Sequence, residues 1–432
     1  MRVNWRKVVA GVVVGSSASL ALVGQAGATT PTSTPLNTGR DAVANQVLSG
    51  GSDTTYRVES DLSVLYNGSP GCSQVRSSYP LQCNPLSGVD PKGPNGADSS
   101  ALNDNWDHDA ITQDYPTGSG GGIAALDAGT VQIARSSKLD VTTTKHFYAY
   151  ADDGIAVGTL GSRVPTQFTI AQLNQIWACN VPAANGFNAN TWGALLGGST
   201  LNPTHVIQPY GMNSTSGTYK TMNGFIGTDV DAGACANKVA SLNDFPFEND
   251  FKPVVADANS KSYNLGDVVW FGSLGELLTY SYKADGANLW PIVDSTGQTV
   301  TPDKSNIQIN PANISDPTKA HPYPFRRYIF RAVLKSDLDF SAAPGGNVQL
   351  VPGGNVNAVT VTGAHGAAAD YALWGCQPTS YFDTLGVNTA LDPYTGSTYA
   401  TEINGAITND GFQRIPGVDR RFGACDYDQA MP

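Results

Sequence analysis

Gly50-Gly51-Ser52-Asp53-Thr54-Thr55-Tyr56 decides how this chain is read. Val43, Val47 and Leu48 lie before it, and Leu62, Val64, Leu65 and Tyr66 after it, so the run reads as a turn from a short strand into a helix. A helix start exposes unpaired backbone N–H groups and the positive end of the macrodipole, where anions settle. Three further runs have the same character: Gly118-Ser119-Gly120-Gly121-Gly122, Arg135-Ser136-Ser137 and Asn213-Ser214-Thr215-Ser216-Gly217-Thr218. Each alone reads as ordinary helix capping by Ser, Thr or Asp. In combination and in this order, they point to a pocket that grips an oxyanion with neutral dipoles.

The first residues read as a secretory signal over 1–28. Arg2, Arg6 and Lys7 are basic, Val8 to Gly24 is mostly apolar and small, and Ala26-Gly27-Ala28 is an A-x-A cleavage site before Thr29. The missing Arg-Arg pair favours the general secretory route. No Cys near the cleavage site would carry a lipid, and no later apolar run approaches the length of a membrane span. The expectation is a secreted, extracellular protein, soluble after cleavage near Ala28, working as a monomer. Thr29 to Asn37 has no core-forming pattern, so residues 29–39 read as a disordered leader.

The net charge of −11 argues against nucleic acid as a partner. It does not exclude a small anion, because local dipoles act at contact distance. Six cysteines in an exported chain point to disulfides; fifteen pairings are possible, and proximity favours Cys72–Cys83, Cys179–Cys235 and Cys376–Cys425. With no C-x-x-C pair and scattered histidines, no metal site is expected, and no cofactor.

Along the chain, 67–122 reads as a stapled excursion, with a helix opening at Ile123 after the glycines. His146 to Tyr150 and Ile155 to Val157 read as strands around an Asp152-Asp153-Gly154 turn. Phe168 to Trp177 has helical spacing at Ile170, Leu173, Ile176 and Trp177, capped by Thr169. Val206 to Tyr210 and Val268 to Phe271 read as strands, the Ser/Thr cluster at 214–218 as the start of a helix, and Tyr328 to Phe330 as an extended run. This alternation favours an α/β architecture with partly parallel sheets. Trp177, Trp192, Trp270, Trp290 and Trp374 read as core or interlobe packing rather than as sugar platforms.

The order of these motifs resembles the phosphate-binding branch of the type II periplasmic solute-binding proteins, over about residues 47–335. Gly51 to Tyr56 is similar to the family's first loop, whose Thr-aromatic pair contacts the anion and falls on Thr55 and Tyr56; Thr54 beside them is counted with the site. Tyr115 to Ile123 is similar to the second loop, with Ser119 and Gly120 as contacts, and Arg135, Ser136 and Ser137 occupy the third. Ser216-Gly217-Thr218 matches the Ser-Gly-Thr of the second lobe. The resemblance implies an α/β fold of two lobes with hinge crossovers: lobe one over 40–150 and 325–432, the latter including a Gly/Asn-rich C-terminal region, and lobe two over 151–324. It also implies capture of a small inorganic oxyanion, phosphate first, and delivery to an ABC permease. The phrases Ala-Arg-Ser-Ser and Gly-Ser-Asp-Thr-Thr-Tyr further resemble an exported actinobacterial branch.

Two departures stand out. The family's arginine before Ser-Gly-Thr is missing from Tyr210-Gly211-Met212-Asn213, and its third-loop carboxylate is replaced by Ser137. Arg135 is the residue expected to supply the missing positive charge. The rival readings are a surface or adhesion protein using this fold without transport and, less favoured, an extracellular hydrolase. For the hydrolase, Thr117 breaks a Gly-x-Ser-x-Gly elbow around Ser119. No catalytic residue is assigned, and the chain is read as a binder rather than an enzyme.

Overall fold

The computed structural model describes residues 47–68, 111–116, 118–140, 142–163, 167–248, 251–279, 288–335, 371–372, 395–415 and 426–427. β1 (Val47–Gly51) leads into α1 (Tyr56–Gly68), then β2 (Ile111–Pro116), α2 (Gly118–Asp127), β3 (Ile133–Ser136) and the long β4 (Lys145–Thr159). There follow β5 (Phe168–Thr169), α3 (Ile170–Trp177), α4 (Trp192–Leu196), β6 (Gln208–Pro209), α5 (Gly217–Ile226) and α6 (Phe251–Ser260). Next come β7 (Val268–Ser273), α7 (Leu274–Thr279), β8 (Asn288–Leu289), β9 (Ile292–Val293), β10 (Thr299–Val300) and α8 (Lys304–Ile307). The return strand β11 (Arg326–Leu334), α9 (Tyr399–Asn409), β12 (Gln413–Arg414) and β13 (Asp426–Tyr427) complete the described chain.

The main sheet runs β2-β1-β3-β11-β4-β7-β6. β1 pairs in parallel with β2 and β3, and β6 with β7, while β4 and β11 are antiparallel neighbours. β4 belongs to both ends of this sheet: Lys145 to Gly154 lies along β11, and Ile155 to Thr159 along β7. Each end has its own core. Ile123, Leu126, Ala134, Phe147 and Phe330 pack in the first, and Trp177, Trp192, Trp270, Phe271 and Trp290 in the second. The molecule is thus a mixed α/β fold of two lobes, with β4 and β11 as crossovers between them. The four described tryptophans of the second lobe are core residues; Phe168 stacks on Trp290 at 3.9 Å.

Local chemistry accounts for the elements. Thr169 and Gln172 form a capping box on α3, whose buried face is Leu173, Ile176 and Trp177. The Trp177 indole donates to the Tyr210 carbonyl at 3.0 Å and meets the Phe271 ring edge to face. β7 is a Val-Val-Trp-Phe run buried along its whole length, as a strand covered on both faces requires. Cys179 and Cys235 are bridged, with Cα atoms 5.7 Å apart. The other two expected pairings, the signal segment, the leader and Trp374 lie outside the described residues.

Two readings of the sequence are corrected. Asp152-Asp153-Gly154 is not a turn but part of the unbroken β4. The signal misleads because Asp153, expected to seek water, is buried against Arg327, whose Nε and Nη2 donate to its Oδ2 at 3.0 and 2.8 Å. The second helix opens at Gly118 rather than Ile123, so the glycines lie inside it. They are there for closeness: a Cβ on Gly122 would sit 2.5 Å from the Gly51 Cα, and one on Gly118 2.6 Å from the Thr215 carbonyl oxygen.

Candidate functional site

The strand-to-helix turns of lobe one place their hydroxyls against the start of α5 in lobe two. Gly51, at φ +134°, lets β1 pass so close to β3 that a Cβ would lie 2.3 Å from the Arg135 carbonyl oxygen, to which the Ser52 N–H donates at 2.9 Å. Thr54 and Thr55 then open α1. In lobe two, Ser216 caps α5 and accepts from the N–H groups of Thr218 and Tyr219 at 3.0 and 3.4 Å. Across the cleft the Gly120 N–H donates to the Thr215 carbonyl at 2.9 Å. A Cβ on Gly217 would lie 2.3 Å from Ser119 Oγ and 2.4 Å from Ser137 Oγ, so only glycine lets the two lobes meet there.

The hydroxyls form a connected set. Ser52 Oγ donates to Ser137 Oγ at 3.1 Å, Ser137 Oγ and Ser119 Oγ are 3.2 Å apart, and the Ser137 N–H donates to Ser119 Oγ at 3.0 Å. The Thr54 and Thr218 hydroxyl oxygens approach to 3.3 Å from opposite lobes. At their meeting point lies a residue that the sequence reading did not single out, Glu248. Its Oε1 accepts from the Thr54 hydroxyl, from the Thr54 N–H at 3.3 Å and from the Thr218 hydroxyl at 3.0 Å, and its Oε2 accepts from Ser216 Oγ at 2.7 Å. The carboxylate is 0 % exposed.

A second unexpected residue is Arg327 of β11. Its Nη1 donates to the Thr218 hydroxyl at 2.8 Å and to the Ser137 carbonyl at 3.2 Å, touching both lobes, while Asp153 fixes the rest of the guanidinium. Asp153 is in turn held by Ser273 Oγ at 3.0 Å and the Gly275 N–H at 3.3 Å. A positive charge thus stands beside the cradle, oriented by a buried carboxylate.

Of the residues expected at the site, Thr54, Ser119, Ser137, Ser216, Gly217 and Thr218 come together, with Gly120 on the seam between lobes. Thr55 turns its hydroxyl back to the Ser52 carbonyl at 3.2 Å, and Ser136 bonds the Lys138 backbone. Tyr56 packs its ring 5.0 Å from the Arg135 guanidinium, and Arg135 Nη1 reaches the Ser49 carbonyl at 3.4 Å. Arg327 is a positive charge seen to touch the hydroxyl set, through Thr218. Arg326, Arg327 and Arg331 all lie in the buried strand β11, and arginines in such a strand are the signal that could have pointed to it, since a buried charge needs a partner. Glu248, in a loop without a motif, has no such signal.

Beside the cradle, Asp231 Oδ1 accepts from the Met212 N–H at 2.9 Å. Burial pushes this carboxyl up to about 7, against the pull of the Met212 N–H, with the Asp229 and Asp244 charges adding to the rise. Among the described residues no cluster of His, Cys, Asp and Glu could hold a metal ion, and no helix is long and apolar enough to cross a membrane. The described His–carboxylate pairs, His205–Asp267 and His321–Asp294, involve no hydroxyl of this set.

No protein-family model matches the chain, and no curated protein matches it. Among solved structures it is similar to a putative phosphate ABC transporter substrate-binding protein with bound phosphate from Clostridium perfringens, at 13 % identity and a TM-score of 0.45, covering 86 % of this chain and 100 % of that one. An ABC-type phosphate transport receptor from Vibrio cholerae is 15 % identical, with a TM-score of 0.39 over 67 % of this chain and 86 % of the other. PstS from Borrelia burgdorferi is 15 % identical, with a TM-score of 0.37 over 86 % and 99 %. At these scores the likenesses assign no ligand to this chain.

Proposed function

We propose that this chain reversibly captures a small oxyanion between its two lobes, with phosphate the leading ligand. The observation that carries the reading is the cradle itself: hydroxyls from the starts of α1 and α5, on opposite lobes, converge with a backbone N–H on one carboxylate. Donors that satisfy a carboxylate are of the kind that satisfy a phosphate oxygen, and hydrogen bonds to a charged group contribute about 1.5–3 kcal/mol each. Arg327 supports an anionic ligand by bringing a guanidinium that contacts both lobes. It takes the place of the arginine that the resemblance puts before Ser-Gly-Thr. Oriented dipoles closed off from water act more strongly than in an open cleft.

The site residues of this reading are Thr54, Ser119, Gly120, Ser137, Ser216, Gly217 and Thr218, joined by Arg327. Thr55, Tyr56, Arg135 and Ser136 shape the wall behind them. The capture is non-enzymatic, by a monomer acting outside the cytoplasm after removal of its signal segment and handing its ligand to an ABC permease, as the resemblance to phosphate-binding solute-binding proteins implies. The test is a thermal-shift and calorimetric series on the disulfide-intact protein with phosphate, arsenate, sulfate and small carboxylates at matched ionic strength. A ligand at 100 times its dissociation constant adds about 2.7 kcal/mol of stability. A selective rise with one oxyanion is expected; no rise with any of them sinks the reading.

A further inference from the structure

The hydrogen count in the cradle leads further. A hydroxyl has one proton to donate. The protons of Thr54, Ser216 and Thr218 all go to Glu248, from which the two lobes are joined through one carboxylate. The Thr218 oxygen accepts from Arg327 Nη1 while its proton goes to Glu248, so the guanidinium reaches Glu248 through that hydroxyl. Ser52, Ser119 and Ser137 are bonded among themselves. A free oxyanion and the Glu248 carboxylate cannot use the same three protons at once.

We propose that Glu248 is a tethered competitor: its carboxylate occupies the oxyanion position, and a captured ligand binds by displacing it. The proposal rests on the oxyanion-capture reading. A glutamate on a loop can act in this way because its attachment gives it a high local concentration, while neutral donors hold it without the counter-charge that would fix it permanently. The affinity for a free ligand is then the intrinsic affinity lowered by the fraction of molecules whose cradle is open to it. Glu248 thereby sets a threshold of ligand concentration for capture, and it favours ligands that offer more acceptor oxygens than a carboxylate.

Two variants test this with two probes, inorganic phosphate and acetate. Glu248→Ala removes the competitor, and Glu248→Gln keeps its shape without its charge. Expected are at least tenfold tighter phosphate binding by calorimetry for Glu248→Ala and a smaller gain for Glu248→Gln. In millimolar acetate against chloride at matched ionic strength, the melting temperature of Glu248→Ala rises and that of the wild type does not. Glu248→Gln, checked by circular dichroism, carries the phosphate test if the alanine variant does not fold. Tenfold weaker phosphate binding in a folded variant overturns the proposal, because Glu248 would then be part of the ligand's own binding shell. An acetate response in Glu248→Ala, with no phosphate binding by any of the proteins, supports the tethered anion and sinks phosphate capture. No response to either probe by any of the proteins overturns both.

Discussion

Glu59 and Glu248 are both 0 % exposed, yet Glu59 faces the guanidinium of Arg331 whereas Glu248 faces hydroxyls and a backbone N–H. Around Glu59, Arg331 Nε lies 2.9 and 3.0 Å from the two carboxylate oxygens, and the Tyr371 hydroxyl donates to one of them at 3.0 Å. Arg331 is clasped by the Tyr150 and Tyr371 rings at 4.7 and 4.0 Å and donates to the Tyr371 carbonyl at 2.7 Å. Burial alone would lower the Arg331 pKa; the Glu59 charge and hydrogen bond, with the Tyr371 and Tyr150 hydroxyls, more than reverse this and raise it. Burying a carboxylate is costly in either setting, and the two lobes offset that cost differently. A fixed counter-charge ties α1 to β11 and to the segment at Tyr371, which is scaffolding. Neutral donors that can turn to another acceptor make an exchangeable site.

The largest expected effect breaks the scaffolding pair. Arg331→Ala leaves Glu59 buried without its cation and lowers stability by about 3–5 kcal/mol, read as the urea midpoint at constant slope. A loss under about 1 kcal/mol would show that Glu59 is as replaceable as Glu248, and the contrast between the lobes would vanish. Thr218→Val comes next and acts on the other side of the comparison. The shapes are alike, but the hydroxyl that accepts from Arg327 and donates to Glu248 is lost. Removing one donor to an anion corresponds to about 1.5–3 kcal/mol, so in the Glu248→Ala background, where no tethered carboxylate shares the hydroxyl, oxyanion affinity falls roughly 10- to 150-fold while circular dichroism stays unchanged. Unchanged affinity would remove the start of α5 from the site.

Arg135→Ala sharpens the contrast at smaller scale. This arginine was the expected clamp, and its guanidinium reaches the Ser49 carbonyl and lies against the Tyr56 ring. Its loss costs about 1–2 kcal/mol of stability, within the common range for core changes, and alters oxyanion affinity less than threefold. A tenfold loss of affinity with stability intact would return Arg135 to the ligand.

These residues also mark how far the sequence could be read. The helix starts were legible because capping is local: Ser216 and the Thr169–Gln172 box need only their own neighbours. The mixed α/β class followed from the same local alternation. What could not be read depends on partners far apart in the chain. Asp153 looked like a turn residue until Arg327, 174 positions away, neutralised it within β4. Glu248 meets Thr54 across 194 positions, and no short window contains both. The wrong start of α2 has the same origin, since the glycines answer to β1 and to Thr215 of the other lobe rather than to the helix itself.

The smallest effect comes from a third carboxylate, Asp231, which has neither the counter-charge of Glu59 nor the full donor set of Glu248. Its carboxyl is pushed up to about 7, chiefly by burial, from the 3.8 of an ordinary aspartate. Between those two values the folded protein holds a proton that the unfolded chain has released, so stability falls as pH rises from about 4 to about 7 and is flat above that. Asp231→Asn removes the charge while keeping an oxygen that can accept from the Met212 N–H, at the loop that leads into the cradle. The variant therefore gains on the wild type as pH rises, and its urea midpoint exceeds that of the wild type by more at pH 8 than at pH 5. Because the residue is only partly buried, solvent screening holds that difference below about 1 kcal/mol. A variant that instead loses ground as pH rises would mean that the ionised Asp231 is favoured in the fold. Asp231 would then belong with Glu248, as a carboxylate well satisfied by dipoles alone, and the boundary between scaffold and site would lie further into lobe two.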